Sequence, residues 1–84
     1  MEQLNSKLNL LERIYKETDK GRESIYPSVV KMIASNLNIP DKEFDKLIYE
    51  CTNSGFLKSF ENLTGNQCIQ ITQNGIDYLK ANIP

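Results

Sequence analysis

The side chains able to do covalent chemistry are few and poorly partnered. No histidine occurs among the 84 residues, which removes the commonest general base. Ser24, Ser28 and Cys51 are the candidate nucleophiles, and none has an imidazole to activate it. The carboxylate pairs Asp41/Glu43 and Glu43/Asp45 fall at the start of a helical segment, where a two-residue spacing points them apart. Two cysteines, Cys51 and Cys68, cannot fill a four-ligand zinc site. Both lie in apolar patterns that suit a small buried thiol better than a disulfide. No catalytic, cofactor or metal site is expected, and the chain reads as a protein other than an enzyme.

What remains is binding chemistry. Lys42 and Lys46 have the donors that read guanine edges or hold phosphates, and Asn53 the amide that pairs with adenine. Asp45 and Tyr49 share the same helical segment. A second group, Lys58, Asn62, Thr64 and Asn66, offers a lysine and uncharged polar side chains to a phosphate or a protein surface. Basic residues are denser in the first half, where Lys31 joins Lys20 and Arg22 as a candidate backbone clamp. Against a nucleic-acid partner stand the net charge of −1 and the composition of residues 41 to 50, where Asp41, Glu43, Asp45 and Glu50 outnumber Lys42 and Lys46. A surface for duplex DNA normally neutralises several phosphates.

The elements that must carry these residues follow from periodicity. Leu4, Leu8, Leu11 and Tyr15 recur at helical spacing, widened by Ile14, so a first helix ends before Gly21. Tyr26 precedes Pro27 and is biased to extended backbone, which allows Ile25 a short strand, and Pro27 can open a second helix. Val30, Ile33, Ala34 and Leu37 form its apolar stripe, and Asn38 suits a left-handed C-terminal position. Phe44, Leu47, Ile48 and Cys51 repeat the stripe in a third helix that begins near Asp41 and stops at Gly55. Two short helices joined by a tight turn are the signature of a helix-turn-helix.

Beyond Gly55 the pattern turns to short β-prone runs at residues 56–60 and 67–71, with turn formers between them predicting a hairpin with a loose tip. Phe60 and Leu63 near its tip, if exposed, suit a protein contact better than a phosphate contact, although Phe60 is expected to fold over the hairpin, and most of the four tyrosines are expected half-buried. Thr72 can cap a last helix, with Gly75 approaching the sheet closely and Ile76, Leu79 and Ile83 facing the core. The expected fold is mainly α with a small β-hairpin: a winged helix-turn-helix of three helices, a two- to three-stranded wing and a short C-terminal helix. Residues 1–84 make one domain. No stretch is long enough and apolar enough for a membrane span, and the N-terminus lacks the features of a secretory signal, so a cytoplasmic location is expected.

The segment Ile71-Thr72-Gln-Asn-Gly75-Ile-Asp-Tyr78-Leu79 resembles the exit from the wing in bacterial winged-helix regulators, where Leu-Thr-x-x-Gly-x-x-Tyr-Leu recurs. More of the chain resembles the YjcQ-like family of small bacterial and prophage proteins. That likeness lies in Leu11-Glu-Arg-Ile-Tyr15, in Ile39 to Leu57 with Phe44-Asp45 and Gly55-Phe56, and in Thr72 to Asn82. Pro40 departs from it where a capping Ser or Thr is common, and the wing is short. The resemblance implies a winged-helix fold with a DNA-binding outline and supplies no ligand. Two functions follow as expectations. One is a small DNA-binding protein of the transcription-regulator type, as a monomer or a homodimer, with the third helix in a major groove of double-stranded DNA. The other is a protein-interaction module of phage or mobile-element origin that inhibits a host nucleic-acid machine, in the manner of an anti-CRISPR.

Overall fold

The computed structural model describes residues 2–82, and the side chains of residues 6–82. The chain order is α1 (Glu2–Glu17), α2 (Pro27–Asn36), α3 (Asp41–Asn53), β1 (Leu57–Glu61), β2 (Gln67–Ile71) and α4 (Gln73–Asn82). Mixed α and β structure with one antiparallel hairpin agrees with the coarse expectation. The helix count of three with a short appendage understates it: α4 has ten residues, the length of α2. Gly75 and Asn74 are poor helix formers, but Thr72 starts the helix well. Its Oγ1 accepts the Gly75 N–H at 3.0 Å and its carbonyl accepts that of Ile76, which satisfies two of the free amides of a first turn.

Both α2 and α3 end by the same device. Asn38 (φ 61°) and Gly55 (φ 78°) take left-handed backbone. The amides of Asn38 and Ile39 return to the carbonyls of Ser35 and Ala34, and those of Gly55 and Phe56 to Thr52 and Cys51. Each is a Schellman closure, in which the following apolar residue packs back onto the helix. Leu37, expected within the stripe of α2, lies in this turn and is half-buried. Pro40 occupies the N-cap of α3 and makes no side-chain cap, and Asp41 and Glu43 put negative charge in the first turn, where the helix dipole favours it.

α1 is the central support, packing against α2, α3, α4 and β2. Its buried line is Leu10, Leu11 and Ile14, continued by Thr18 in the turn after it, all without exposure, whereas Leu8 and Tyr15 are half-buried. The i, i+3, i+4, i+7 pattern passes over Leu10. A helix with neighbours on several sides buries a wider arc than a one-sided stripe implies. The side chain of Leu4 and all of Ile83 lie outside the described residues. Buried Thr18 is satisfied by donating to the Ile14 carbonyl at 2.6 Å.

β1 and β2 pair from Leu57↔Ile71 to Glu61↔Gln67. Ile25 adds a one-residue strand on the free edge of β2, exchanging both backbone hydrogen bonds with Ile69 at 2.9 and 2.7 Å. β2 is thereby central and joins the α1–α2 connection to the hairpin. The hairpin tip is not loose. The Asn62 side-chain oxygen accepts from the Thr64 amide at 3.0 Å, the Thr64 hydroxyl at 2.7 Å and the Asn66 amide at 2.9 Å, an Asx-type closure that polar composition alone does not reveal. Replacing Asn62 with alanine should lower stability by about 1 kcal/mol, as solvent-exposed hydrogen bonds are worth little each. Hydrogen exchange at the Thr64 and Asn66 amides should accelerate by about tenfold while core amides change far less. Unchanged exchange at those two amides would show that the side chain does not hold the tip.

Candidate nucleic-acid interface

α3 presents its polar residues in register. Phe44, Leu47 and Cys51 are buried and Ile48 half-buried on the inner side. On the outer side Lys42, Lys46, Tyr49 and Asn53 fall at i, i+4, i+7 and i+11, and all four are exposed, so they form one ridge along the helix. Tyr49 is 68% exposed. The carboxylates lie on the flanks of that ridge. Asp41 and Asp45, both exposed, are one helical turn apart on one side, and half-buried Glu43 and Glu50 lie on the other. One oxygen of Glu50, Oε1, is buried without a hydrogen-bond partner among the described residues.

The cations differ in their partners. Three of those in α1 and the turn after it are engaged locally, Arg13 with Glu17 at 3.5 Å, Lys16 with Glu12 at 3.8 Å and Arg22 with Asp19 at 3.8 Å, whereas Lys7 and Lys20 are in no ion pair among the described residues. Among the described residues Lys31, Lys42, Lys46 and Lys58 belong to no ion pair. Lys31 is exposed on α2. Lys58, exposed on β1, lies 5.6 Å over the ring of half-buried Phe60, a cation–π contact that leaves its ammonium accessible.

The expected hairpin contacts divide. Thr64 and Asn66 are exposed, but Asn62 is half-buried with its oxygen committed to the tip, so it serves as the scaffold of that group. Two tyrosines, Tyr26 and Tyr49, are exposed, against the expectation that most are half-buried, while Tyr15 and Tyr78 are half-buried and Tyr78 stacks on Phe56 at 4.4 Å. Pro27, the first residue of α2, leaves Tyr26 at the N-cap with extended backbone, and Tyr49 lies opposite the buried stripe of α3. Leu63 at the tip is fully exposed, whereas Phe60 is half-buried.

Cys51 and Cys68 are free, buried thiols, and no cluster of metal-ligating side chains occurs among the described residues. Burial raises the Cys51 thiol from 9.0 to about 11, with the charge of Lys7 opposing and that of Glu50 reinforcing the shift. The folded state therefore holds the proton more tightly than the unfolded one. The resulting stability is complete below pH 9 and is lost as pH rises from 9 to about 11, an effect on the order of 2 kcal/mol. Denaturation midpoints measured across that range should fall less steeply for Cys51→Ala than for the parent chain. Equal slopes would remove the thiol as a cause.

No helix among the described residues is long and apolar enough to cross a membrane. No family model, curated protein or solved structure matches the chain.

Proposed function

We propose that the chain is a winged helix-turn-helix protein that binds double-stranded DNA, with α3 in the major groove and the β1–β2 hairpin as the wing. The observation that carries this reading is the ridge Lys42, Lys46, Tyr49 and Asn53, exposed along one line of α3 with both ammonium groups free of ion pairs among the described residues. Counted over the helix, charge is acidic. Along the ridge it is basic, and only the ridge enters a groove. Two lysines there reach guanine edges or phosphates, and Asn53 has the amide for adenine. The strand arrangement supports the same reading, since a single residue after the first helix pairs with the returning strand of the hairpin. So does the sequence resemblance to YjcQ-like and other bacterial winged-helix proteins.

Lys31 and Lys58 would add phosphate contacts from α2 and the wing. With up to four cations engaged, the affinity for a labelled non-specific duplex should be micromolar at about 50 mM salt. It should fall with a log–log slope of roughly −3 to −4. Fluorescence anisotropy titrations at several salt concentrations measure both quantities, and no binding near 50 mM salt would end the proposal.

A protein partner is the second reading, favoured by a specific feature. Tyr49 projects from mid-helix flanked by exposed Asp41 and Asp45, and an exposed tyrosine is a common anchor of protein interfaces. A phage-type inhibitor of a host nucleic-acid machine would use the ridge in that way. Failure to bind DNA, together with a stoichiometric protein complex abolished by Tyr49→Ala, would select it.

A further inference from the structure

Leu63 is the most exposed large apolar side chain among the described residues. It stands on a tip that the Asn62 oxygen holds in shape, so burying it in a partner requires little further ordering of backbone. Residues 62–67 of the tip are uncharged, and the nearest charge is the exposed carboxylate of Glu61. A carboxylate beside the tip repels phosphate, which makes duplex DNA a poor recipient for Leu63.

The chain itself carries a recipient. Between α1 and α4 lies an open groove of about 160 Å³ whose apolar lining is Tyr15, Ile76 and Leu79, with Glu12, Lys16 and Lys80 on its rim. An apolar space of roughly 150 Å³ accommodates a benzene-sized group, so one leucine side chain fits. Lys16 is engaged by Glu12 at 3.8 Å. Lys80 is exposed and in no ion pair among the described residues, and so remains for an incoming carboxylate.

We propose that a second copy of this chain fills the groove, Leu63 of one molecule seating against Tyr15, Ile76 and Leu79 of the next while Glu61 meets Lys80. Size and charge agree at both points. The proposed contact is heterologous, one knob entering one groove, and so propagates head to tail. It is also small and correspondingly weak, with a dissociation constant of roughly 0.1–1 mM. This inference concerns self-association in solution and stands apart from the DNA-binding reading.

Sedimentation equilibrium up to millimolar concentration tests it with surface variants that leave the core intact, their folding checked by circular dichroism. The parent chain should show association that grows with concentration beyond a dimer. Leu63→Asp should weaken association about 10- to 100-fold, the loss expected for one buried leucine. Lys80→Glu should weaken it less, and the double variant Glu61→Lys/Lys80→Glu should restore it. An equimolar mixture of Leu63→Asp and Lys80→Glu chains should favour the 1:1 dimer over either self-association, because only that pairing keeps an intact knob and an intact groove. A parent chain that stays monomeric would overturn the proposal, leaving the groove empty or to residues 83–84. Association unchanged by Leu63→Asp, or a dimer that never grows, would overturn it equally.

Discussion

Alanine in place of Gly75 should destabilise the fold by about 2 kcal/mol and lower the melting temperature by about 10 °C. In an exposed helix the same change is favourable by about 1 kcal/mol, so sign as well as size is at issue. Gly75 is buried in the first turn of α4. A β-carbon there would run into the backbone carbonyl of Phe56 and stand 2.7 Å from Cγ1 of Ile71. Neither neighbour is free to give way. The Phe56 carbonyl accepts the Thr72 amide at 2.9 Å, and Ile71 is buried in the core. Overpacking of that kind outweighs the gain in helix propensity. Thermal denaturation followed by circular dichroism measures the difference, with Asn74→Ala, an exposed change one residue away, as a control expected to be neutral or stabilising. A Gly75→Ala protein as stable as its parent would mean that α4 can shift away from the β1 entry at little cost.

Removing both ridge lysines, as Lys42→Ala/Lys46→Ala, should weaken duplex binding by about 10- to 100-fold at low salt and bring the salt slope nearer zero by about two. The slope is the more telling quantity, since a lost counterion-releasing contact alters it whereas a general loss of folded protein does not. Both side chains are exposed and make no ion pair among the described residues, so stability should change by less than about 0.5 kcal/mol. An Asn53→Ala chain should instead keep its slope and lose discrimination between duplex sequences. If the double variant kept its parent's affinity and slope, α3 would lie away from the DNA.

How much of this was legible beforehand differs from element to element. The stops at Asn38 and Gly55 and the start at Thr72 could be read because each depends on one residue type in one conformation. The buried Leu10 could not be read as part of a stripe, since its burial depends on how many neighbours α1 has. The order at the hairpin tip also escaped composition. Asn62, Thr64, Gly65 and Asn66 are turn formers whether the turn is open or closed, and only the geometry shows one oxygen collecting three donors. Charge on α3 is distributed in a way that its sum does not show. Glu43 and Glu50 count fully in composition, yet they sit half-buried on a flank, while the i, i+4, i+7, i+11 spacing that isolates the lysine ridge was present in the sequence. Exposure of Leu63 depended on the direction in which the closed tip projects, which no local pattern encodes.

The pairing of Ile25 with Ile69 has a consequence for the order in which the chain folds. The hairpin and each helix close through contacts between near neighbours in sequence, which form in microseconds. The two hydrogen bonds between these isoleucines join residues 44 apart (69 − 25), so the chain between them must be drawn together before they return any energy. With α2 and α3 already formed that intervening segment is short in effective length, and the bridge is best made late, as the step that docks the helices onto the sheet. Topology thereby groups this bridge with the docking of α1 on α4 and of α2 on β2 as the slow, long-range part of folding.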